Sequence, residues 1–297
     1  MSEFIKGSFV ALVTPMFEDG SLDFETYKRL IDFHIKSGTD AIVAIGTTGE
    51  SPTVSFEEHL SLIEVAVQHS AGRIPIIAGS GANSTSEAID LTKQAENIGV
   101  NASLQVVPYY NKPSQEGLYQ HFKIIAEATS LPIILYNVPG RTVADLSNAT
   151  VVKLSTIKNI VGIKDATGDL VRGQALLRDL PSNFAVYSGD DPSAVSLILL
   201  GGAGNISVTA NVLPRTMSKM CKSALKGHAI DVAQLNIDLL EIHKTLFIES
   251  NPIPIKWLMY EMGLIPCGIR LPLTSPSLST KTKLKELIEN INYFEGI

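Results

Sequence analysis

The feature that most constrains the fold is a unit that recurs along the first three quarters of the sequence, a short apolar run followed by a stretch with helical periodicity. The apolar runs are SFVALVTP, DAIVAIGTTG, IPIIAGSG, ASLQVVPYY, LPIILYNVPG, IVGIKDATG, FAVYSGDD and GNISVTAN. Alternating strand and helix signals indicate a parallel sheet covered by helices, which is an α/β fold. Eight such units close most simply into a (β/α)8 TIM barrel, although a doubly wound open sheet needs the same local signals. The number of units favours the barrel.

Two predicted helices carry a recognisable start. Ser55 precedes Glu58, and Ser84 precedes Glu87, each with the three-residue spacing of a capping box just ahead of an apolar periodic face. The alternation of strands and helices is therefore marked at helix starts as well as by the apolar runs.

The domain organisation follows from where the strand signals stop. After Asn211 only helical patterns remain, such as DVAQLNIDLLEIHKTLF and TKLKELIENINYF. We predict a catalytic barrel over residues 1–225 and a C-terminal helical region over residues 226–297. No charge block, glycine-serine linker or low-complexity tract separates them, so we expect the two parts to pack together.

Charge and hydropathy exclude several classes of protein. The 297-residue chain has a net charge of -6 and no lysine- or arginine-rich block, which argues against nucleic-acid binding. No run approaches the roughly 20 apolar residues that a membrane-spanning helix needs. Cys221 and Cys267 stand alone, without the spacing of a disulfide framework or a zinc site. We expect a cytoplasmic protein without a membrane partner.

The sequence offers no pattern typical of a metal or redox site. One histidine, His228, follows Gly227, and the other five fall in helical stretches rather than at strand ends: His34, His59, His69, His121 and His243. No G-x-G-x-x-G follows a strand to open a helix, so a nicotinamide dehydrogenase has no support. We therefore predict neither a metal nor a cofactor.

A lysine stands where a strand should be most apolar. In NIVGIKDATG, Lys164 follows the buried run of the sixth strand and lies at its C-terminal end. Catalytic groups of TIM barrels project from these ends. An amine stripped of water there favours its neutral form, which can add to a ketone and form a Schiff base. The strand alone leaves a second interpretation equally open, a structural ion pair with Asp165 or Asp190.

The segment AIGTTGES after the second strand favours the nucleophile. Gly46 and Gly49 free the backbone to turn and to direct successive N–H groups at one anion, and Thr47 and Thr48 add hydroxyl groups suited to a small carboxylate or a proton relay. A plain glycine-rich turn is the alternative. A phosphate site would more commonly use the loops after strands seven and eight, where GGAGNIS at residues 201–207 is a weaker candidate.

The segment YNVPGRT after the fifth strand supplies the remaining groups. A Schiff base needs an acid–base group to move protons, and the phenol of Tyr136 is the candidate. Arg141 follows a Pro-Gly turn with a planar guanidinium that suits a carboxylate substrate. Taken singly, Tyr136 could be core packing and Arg141 a surface salt bridge, but their occurrence with Lys164 favours a site.

Four ordered motifs resemble those of the dihydrodipicolinate synthase family, within the class I pyruvate aldolases. They are GTTGES at 46–51, PYYNKP at 108–113, YNVPGRT at 136–142 and GIKDATG at 162–168. The resemblance covers nearly the whole chain, including SGDD, NISVTAN and NPIPIKW. It implies a (β/α)8 barrel with C-terminal helices that condenses pyruvate with L-aspartate β-semialdehyde on the route to diaminopimelate and lysine. It also implies a homotetramer, a dimer of dimers.

The resemblance implies a role for each matching residue. Lys164 would be the Schiff-base residue, with Tyr136, Thr47 and Tyr110 as a proton relay in which Tyr110 enters the site of the neighbouring subunit. The substrate-binding residues implied are Thr48, Arg141, Gly189 and Ile206, with Thr48 on the pyruvate carboxylate and Arg141 on the semialdehyde carboxylate.

Two alternatives remain open. Sister enzymes such as N-acetylneuraminate lyase and hydroxy-oxoglutarate aldolase share the lysine and the G-x-x-G-E loop but use other aldehydes, and Arg141 argues against them. A non-catalytic barrel that senses pyruvate or lysine is less favoured, because binding alone needs no nucleophile.

The family resemblance also implies an allosteric lysine site at a dimer interface. Five residues match its lining: Ser51, His59, Asn83, Glu87 and Tyr109. Phe56, however, stands where lysine-sensitive relatives carry a histidine. We therefore predict that lysine is an effector that inhibits weakly and partially.

Overall fold

The computed structural model describes residues 4–296 and shows a closed barrel of parallel strands. The strands are β1 Gly7–Ala11, β2 Ala41–Ala44, β3 Ile76–Gly79, β4 Ala102–Val106, β5 Ile133–Asn137, β6 Ile160–Asp165, β7 Ala185–Ser188 and β8 Gly204–Ser207. Each lies within one of the predicted apolar runs, except that β1 begins one residue earlier, at Gly7. The barrel closes where β1 pairs in parallel with β8, from Gly7 opposite Gly204 to Val10 opposite Ser207. This closure confirms the predicted TIM barrel and excludes the open sheet.

Helices follow the strands and continue to the C-terminus. Within residues 4–296 they are α1 Phe24–Ser37, α2 Phe56–Ser70, α3 Thr85–Ile98, α4 Gln115–Glu127, α5 Pro139–Thr142, α6 Asn148–Leu154, α7 Leu170–Asp179, α8 Ala194–Leu199, α9 Pro214–Leu225, α10 Ala229–Asp238, α11 Leu240–Thr245, α12 Ile253–Glu261, α13 Leu278–Glu286 and α14 Ile288–Glu295. None of these helices has the length and apolar character needed to cross a bilayer.

The helix starts agree in part with the predicted capping boxes. The Ser55 side chain accepts from the Glu58 N–H, and the Glu58 carboxylate accepts from the Ser55 N–H, so the box at α2 is complete. At α3 the Ser84 side chain accepts from the Glu87 N–H, but the reciprocal bond is not formed among the described residues. The Glu87 side chain is thus free to face the surface.

Each of the two long C-terminal helical patterns is divided into two helices. The breaks fall at Leu239 and Leu287, whose ψ angles of -7° and -19° are closer to zero than those of a regular α-helix. Both leucines are buried in the core that the barrel shares with the C-terminal helices.

One apolar core joins the barrel to the C-terminal helices. Val10 of β1, Met217 of α9, Leu258 of α12 and Ile291 of α14 belong to the same buried cluster. The predicted boundary after residue 225 coincides with the end of α9 and stays a prediction, because the core itself runs across it.

Candidate active site

A cavity of about 210 Å³ opens at the C-terminal end of the barrel. Residues from seven of the eight strands or the loops after them reach it, all but β3, as expected for this fold. Its polar lining consists of Thr47, Thr48, Tyr136, Arg141, Lys164, Asp190 and Asn251, and Gly189 and Phe247 complete the wall near them. The structure thus brings together the nucleophile, the turn and the tyrosine–arginine segment that the sequence places apart.

Lys164 lies at the centre of this arrangement. It pairs with Tyr136 on β5 and with Tyr187 on β7, so its side chain and that of Tyr136 point the same way from neighbouring strands. Lys164 is only 6% exposed, and its Nζ lies 4.3 Å from the centre of the Tyr136 ring. The phenol ring therefore packs against the amine that it would serve.

The structural ion pair proposed for Lys164 is not formed. Asp165 binds Arg172 instead, with Oδ2 2.9 Å from the Arg172 Nε and Oδ1 2.8 Å from the Thr167 N–H. Asp190 accepts from the Ser193 N–H at 3.1 Å. Within residues 4–296 Lys164 makes no salt bridge, which favours the nucleophile.

The predicted anion-binding turn has the geometry of a helix start. Gly46 is extended, Thr47–Gly49 form one turn of 3₁₀ helix, and Glu50 closes it in the left-handed region. The N–H groups of Gly49 and Glu50 bond to carbonyls within the turn. As at any helix start, the N–H groups of Thr47 and Thr48 have no partner within the turn and are available to an anion.

Asn251 connects the two proposed carboxylate-binding elements. The Arg141 guanidinium donates to the Asn251 carbonyl at 2.8 Å, and the Asn251 amide donates to the Thr48 hydroxyl at 3.0 Å. Asn251 is buried, and its Oδ1 has no hydrogen-bond partner among residues 4–296. That oxygen is available to a ligand in the cavity.

Sequence reasoning missed Asn251 and Phe247. Both come from the C-terminal helical region, about 200 positions after the turn they approach, and no local pattern indicates such a contact. The motif NPIPIKW, which begins at Asn251, was the only signal.

Gly189 is required by the packing around the lysine. A Cβ at this position would lie 2.7 Å from Cε of Lys164 and 2.7 Å from Cβ of Ala166. Its predicted role in substrate binding is therefore joined by a steric one, because any side chain here displaces the lysine.

We expect Gly189→Ala to lower turnover by roughly tenfold or more, since a displacement of less than 1 Å at a reacting group is costly. Overpacking should also destabilise the fold by about 1–3 kcal/mol. The measurements are steady-state turnover and the melting temperature. Gly140→Ala is the matched control, because a Cβ there meets nothing within 4 Å. Equal turnover for both variants would contradict the steric role.

Two predicted site residues do not line the cavity of their own chain. Tyr110 is 90% exposed and has a φ of +75°, and Ile206 packs inside the barrel against other apolar side chains. The role of Ile206 in substrate binding and the entry of Tyr110 into a neighbouring site stay predictions.

A second cavity of about 220 Å³ adjoins the first and shares the walls at Gly46, Thr47 and Tyr136. Ser51 and Tyr109 of the predicted lysine site line it. The Asn83 amide donates to the Tyr109 carbonyl at 3.2 Å. Burial, and next the charge of Glu87, raises the pKa of Tyr109, which places Glu87 near its phenol.

Neither His59 nor Phe56 lines the second cavity, and the role of His59 in binding lysine stays a prediction. His59 Nε2 lies 2.9 Å from the Gly79 carbonyl and must carry the proton that it donates there. Burial lowers the pKa of His59 to about 4, so the ring is neutral near pH 7. Phe56 is 40% exposed at the start of α2. His59 thus supports the cavity wall at Gly79 and does not itself line the cavity.

No group of three or more His, Cys, Asp or Glu side chains within residues 4–296 is arranged to hold a metal ion. The five histidines predicted to be helical lie in α1, α2, α4 and α11, and His228 caps α10.

Known proteins resemble this chain over nearly all of its length. Residues 4–291 match the Dihydrodipicolinate synthetase family. The 4-hydroxy-tetrahydrodipicolinate synthase of Nitrosospira multiformis is 61% identical over 282 residues, which are 95% of this chain and 94% of that protein. The chloride-inhibited dihydrodipicolinate synthase of Acinetobacter baumannii, solved with pyruvate, is 55% identical, with a TM-score of 0.95 over 99% of this chain and 100% of that one. The Cyanidioschyzon merolae enzyme with lysine bound is 36% identical, with a TM-score of 0.94 over 99% of each chain.

Proposed function

The chain belongs to the dihydrodipicolinate synthetase family, and from this premise we propose that it condenses pyruvate with L-aspartate β-semialdehyde to 4-hydroxy-tetrahydrodipicolinate. It is an enzyme, a lyase of diaminopimelate and lysine biosynthesis. The observation that carries the proposed chemistry is Lys164, a buried amine that has no carboxylate partner among residues 4–296 and packs against Tyr136 in the barrel mouth.

The reaction begins with pyruvate. The Lys164 amine adds to the keto carbon, and water leaves to give an iminium. The N–H groups of Thr47 and Thr48 hold the pyruvate carboxylate meanwhile. The iminium draws electrons, so a proton leaves the methyl group and an enamine forms. Tyr136 moves these protons, with Thr47 as the next member of the relay.

The second substrate completes the reaction. The enamine carbon attacks the aldehyde carbon of the semialdehyde, whose carboxylate binds the Arg141 guanidinium. The C=O double bond opens as the new bond forms, and its oxygen takes up a proton to become the 4-hydroxyl group. The amino group of the semialdehyde then adds to the iminium carbon, closes the ring and displaces Lys164 as a free amine. The bond to the enzyme is thus exchanged for the ring bond, and neither a metal nor a redox group takes part in this sequence.

We propose that the active form is a homotetramer built as a dimer of dimers in the cytoplasm. The exposure of Tyr110 and its left-handed backbone support a contact with another copy, because a bulky residue held in that region needs surroundings that fix it. Tyr110 would then join the relay of the neighbouring site.

The test of the proposed function is an assay of pyruvate with different aldehydes. Turnover with L-aspartate β-semialdehyde should exceed turnover with N-acetylmannosamine or glyoxylate by at least about a hundredfold. N-acetylmannosamine lacks the carboxylate that Arg141 binds, and neither competitor has the free amino group that closes the ring and displaces Lys164. Comparable or faster turnover with either of the other aldehydes would make the chain a sister aldolase instead.

Lysine should inhibit weakly and incompletely. Glu87 can pair with the α-ammonium group and Asn83 can bond to the carboxylate, but Phe56 offers no polar contact and the Nε2 of His59 is already used. A lost contact to a charged ligand is worth roughly 1.5–3 kcal/mol, a ten- to hundredfold loss in affinity. Phe56 could offset part of this loss by packing on the aliphatic chain. Inhibition stays partial because the second cavity is not the catalytic one.

Steady-state assays across a lysine titration measure this effect. Phe56→His should tighten inhibition by about tenfold. Phe17→His should not, because Phe17 is exposed to a similar degree and lines neither cavity. Tight inhibition of the unmodified chain would show that Phe56 substitutes well for a histidine. Complete insensitivity would show that the five matching residues form no site.

A further inference from the structure

A buried ion pair lies directly behind the anion-binding turn. Glu50, the residue that closes the turn, has a φ of +59° and a side chain that is 0% exposed. Its Oε1 bonds to Nζ of Lys256, which is 3% exposed. Its Oε2 accepts from the Arg270 N–H at 3.0 Å. Both oxygens of the carboxylate are therefore used by the C-terminal helical region, and we call Glu50, Lys256 and Arg270 the Glu50 tether.

The segment that carries Lys256 also contacts the turn at a second point. Asn251, just before α12, donates to the Thr48 hydroxyl, and Lys256 lies five residues later on α12. One short segment thus holds the turn at Thr48 and at Glu50. The N–H groups proposed to bind the substrate carboxylate, those of Thr47 and Thr48, belong to the same turn as these two contacts.

Arg270 fixes the outer side of the same loop. Its guanidinium forms two bonds of 2.6 Å to the Glu58 carboxylate and one of 2.8 Å to the Thr53 carbonyl. Together with its N–H on Glu50, Arg270 ties the turn to the start of α2. Residues 50–58 are thus fixed at both ends, Glu50 by Lys256 and Glu58 by Arg270, and each partner lies more than 200 positions later in the chain.

Stability alone does not account for charges at this position. Removing two charges from water is costly, and a buried ion pair is commonly no more stabilising than apolar side chains of similar size. Burial lowers the pKa of Lys256 and Glu50 opposes that effect. The hydrogen bonds of the pair have a preferred geometry, which an apolar contact lacks. They therefore fix the position of Glu50 and, with it, the position of the turn.

We propose that Glu50 and Lys256 are positioning residues that hold the N–H groups of Thr47 and Thr48 in place for the pyruvate carboxylate. This inference rests on the proposed function, in which the turn binds that carboxylate. Neither side chain lines either cavity, so both act on the substrate only through the turn. Weakening the tether should therefore reduce capture of pyruvate more than the chemistry that follows at Lys164.

The test compares Glu50→Gln and the double variant Glu50→Gln with Lys256→Met. The single variant leaves the Lys256 charge buried without its partner, which can prevent folding. The double variant removes both charges, so it tests the proposal even if the single variant does not fold. Glu295→Gln is the matched control. Glu295 is also a buried carboxylate that accepts two N–H groups, those of Arg215 at 2.8 Å and Thr216 at 3.2 Å, but it joins α14 to α9 and lines neither cavity.

The readout is the pyruvate concentration that gives half-maximal trapping of the Lys164 imine by borohydride. We expect it to rise about tenfold or more in both tether variants and to stay unchanged in Glu295→Gln. Turnover at saturating pyruvate should fall by no more than about threefold.

Two outcomes would overturn the inference, and they are distinguishable. Folded tether variants with the half-saturation of the unmodified chain would contradict the positioning role alone, even if their melting temperatures fell. An unmodified chain that forms no adduct at any pyruvate concentration would contradict the proposed function and the positioning role together.

Discussion

Replacing Lys164 with alanine should abolish imine formation and lower turnover by at least about a thousandfold, because no other group in the cavity can form the covalent intermediate. The environment of this amine supports the prediction. Lys164 is buried, and both carboxylates near it are bonded to other partners, Asp165 to Arg172 and Asp190 to Ser193. A lysine kept for structure alone would be expected to pair with one of them.

Borohydride reduction in the presence of pyruvate, followed by peptide mass spectrometry, locates the adduct. The chain contains its own control in Lys256, which is equally buried but is bonded to Glu50 behind the turn. Lys164→Arg separates charge from nucleophilicity, since a guanidinium keeps the charge and does not form the imine. An adduct on Lys256, or none at all, would disprove the mechanism.

The barrel could be predicted from the sequence because its signals are local. The apolar residues Ile160, Val161 and Ile163, followed by threonine and glycine, predict the strand β6. The capping box of Ser55 and Glu58 predicts the start of the helix α2. Neither depends on what packs against it. The C-terminal helical patterns could be predicted for the same reason, whereas the breaks at Leu239 and Leu287 carry no local signal such as a glycine or a proline.

The site could be predicted only where its residues follow strands. Lys164, Tyr136 and the Thr47–Thr48 turn lie at strand ends, where the topology alone brings them to one mouth. Asn251 and the Glu50 tether reach the same mouth from the C-terminal helices. Their contacts join residues about 200 positions apart, and neither periodicity nor turn chemistry indicates which loop α12 will meet. The ion pair between Asp165 and Arg172 could not be predicted for a related reason. Nothing in the helical pattern around Arg172 distinguishes it from any other arginine on a helix surface.

Arg141 is the residue on which the choice of aldehyde depends. It lies in α5, the short helix after β5, is exposed at the cavity mouth, and has one guanidinium nitrogen on the Asn251 carbonyl at 2.8 Å. This bond orients the guanidinium and leaves its other N–H groups for a carboxylate that arrives from solvent. The pyruvate carboxylate, by contrast, is proposed to bind deeper, at the turn.

Arg141→Ala should therefore reduce kcat/KM for aspartate semialdehyde far more than it reduces imine formation with pyruvate. Losing one partner of a desolvated charged pair costs about 2–5 kcal/mol, and the exposure of Arg141 places the expected loss near 2 kcal/mol, roughly thirtyfold. Arg141→Lys should recover only part of it, because an ammonium keeps the charge without the planar pair of donors.

Assays of both substrates on the same variants test whether the pyruvate carboxylate and the semialdehyde carboxylate bind at different residues. Because Arg141 also contacts Asn251, and Asn251 contacts Thr48, Asn251→Ala is the necessary comparison. It should weaken pyruvate capture by loosening Thr48, whereas Arg141→Ala should leave the half-saturating pyruvate concentration within about twofold of the unmodified value. If Arg141→Ala damages pyruvate trapping as much as semialdehyde turnover, Arg141 holds the pyruvate carboxylate, and the turn must be reassigned to the second substrate.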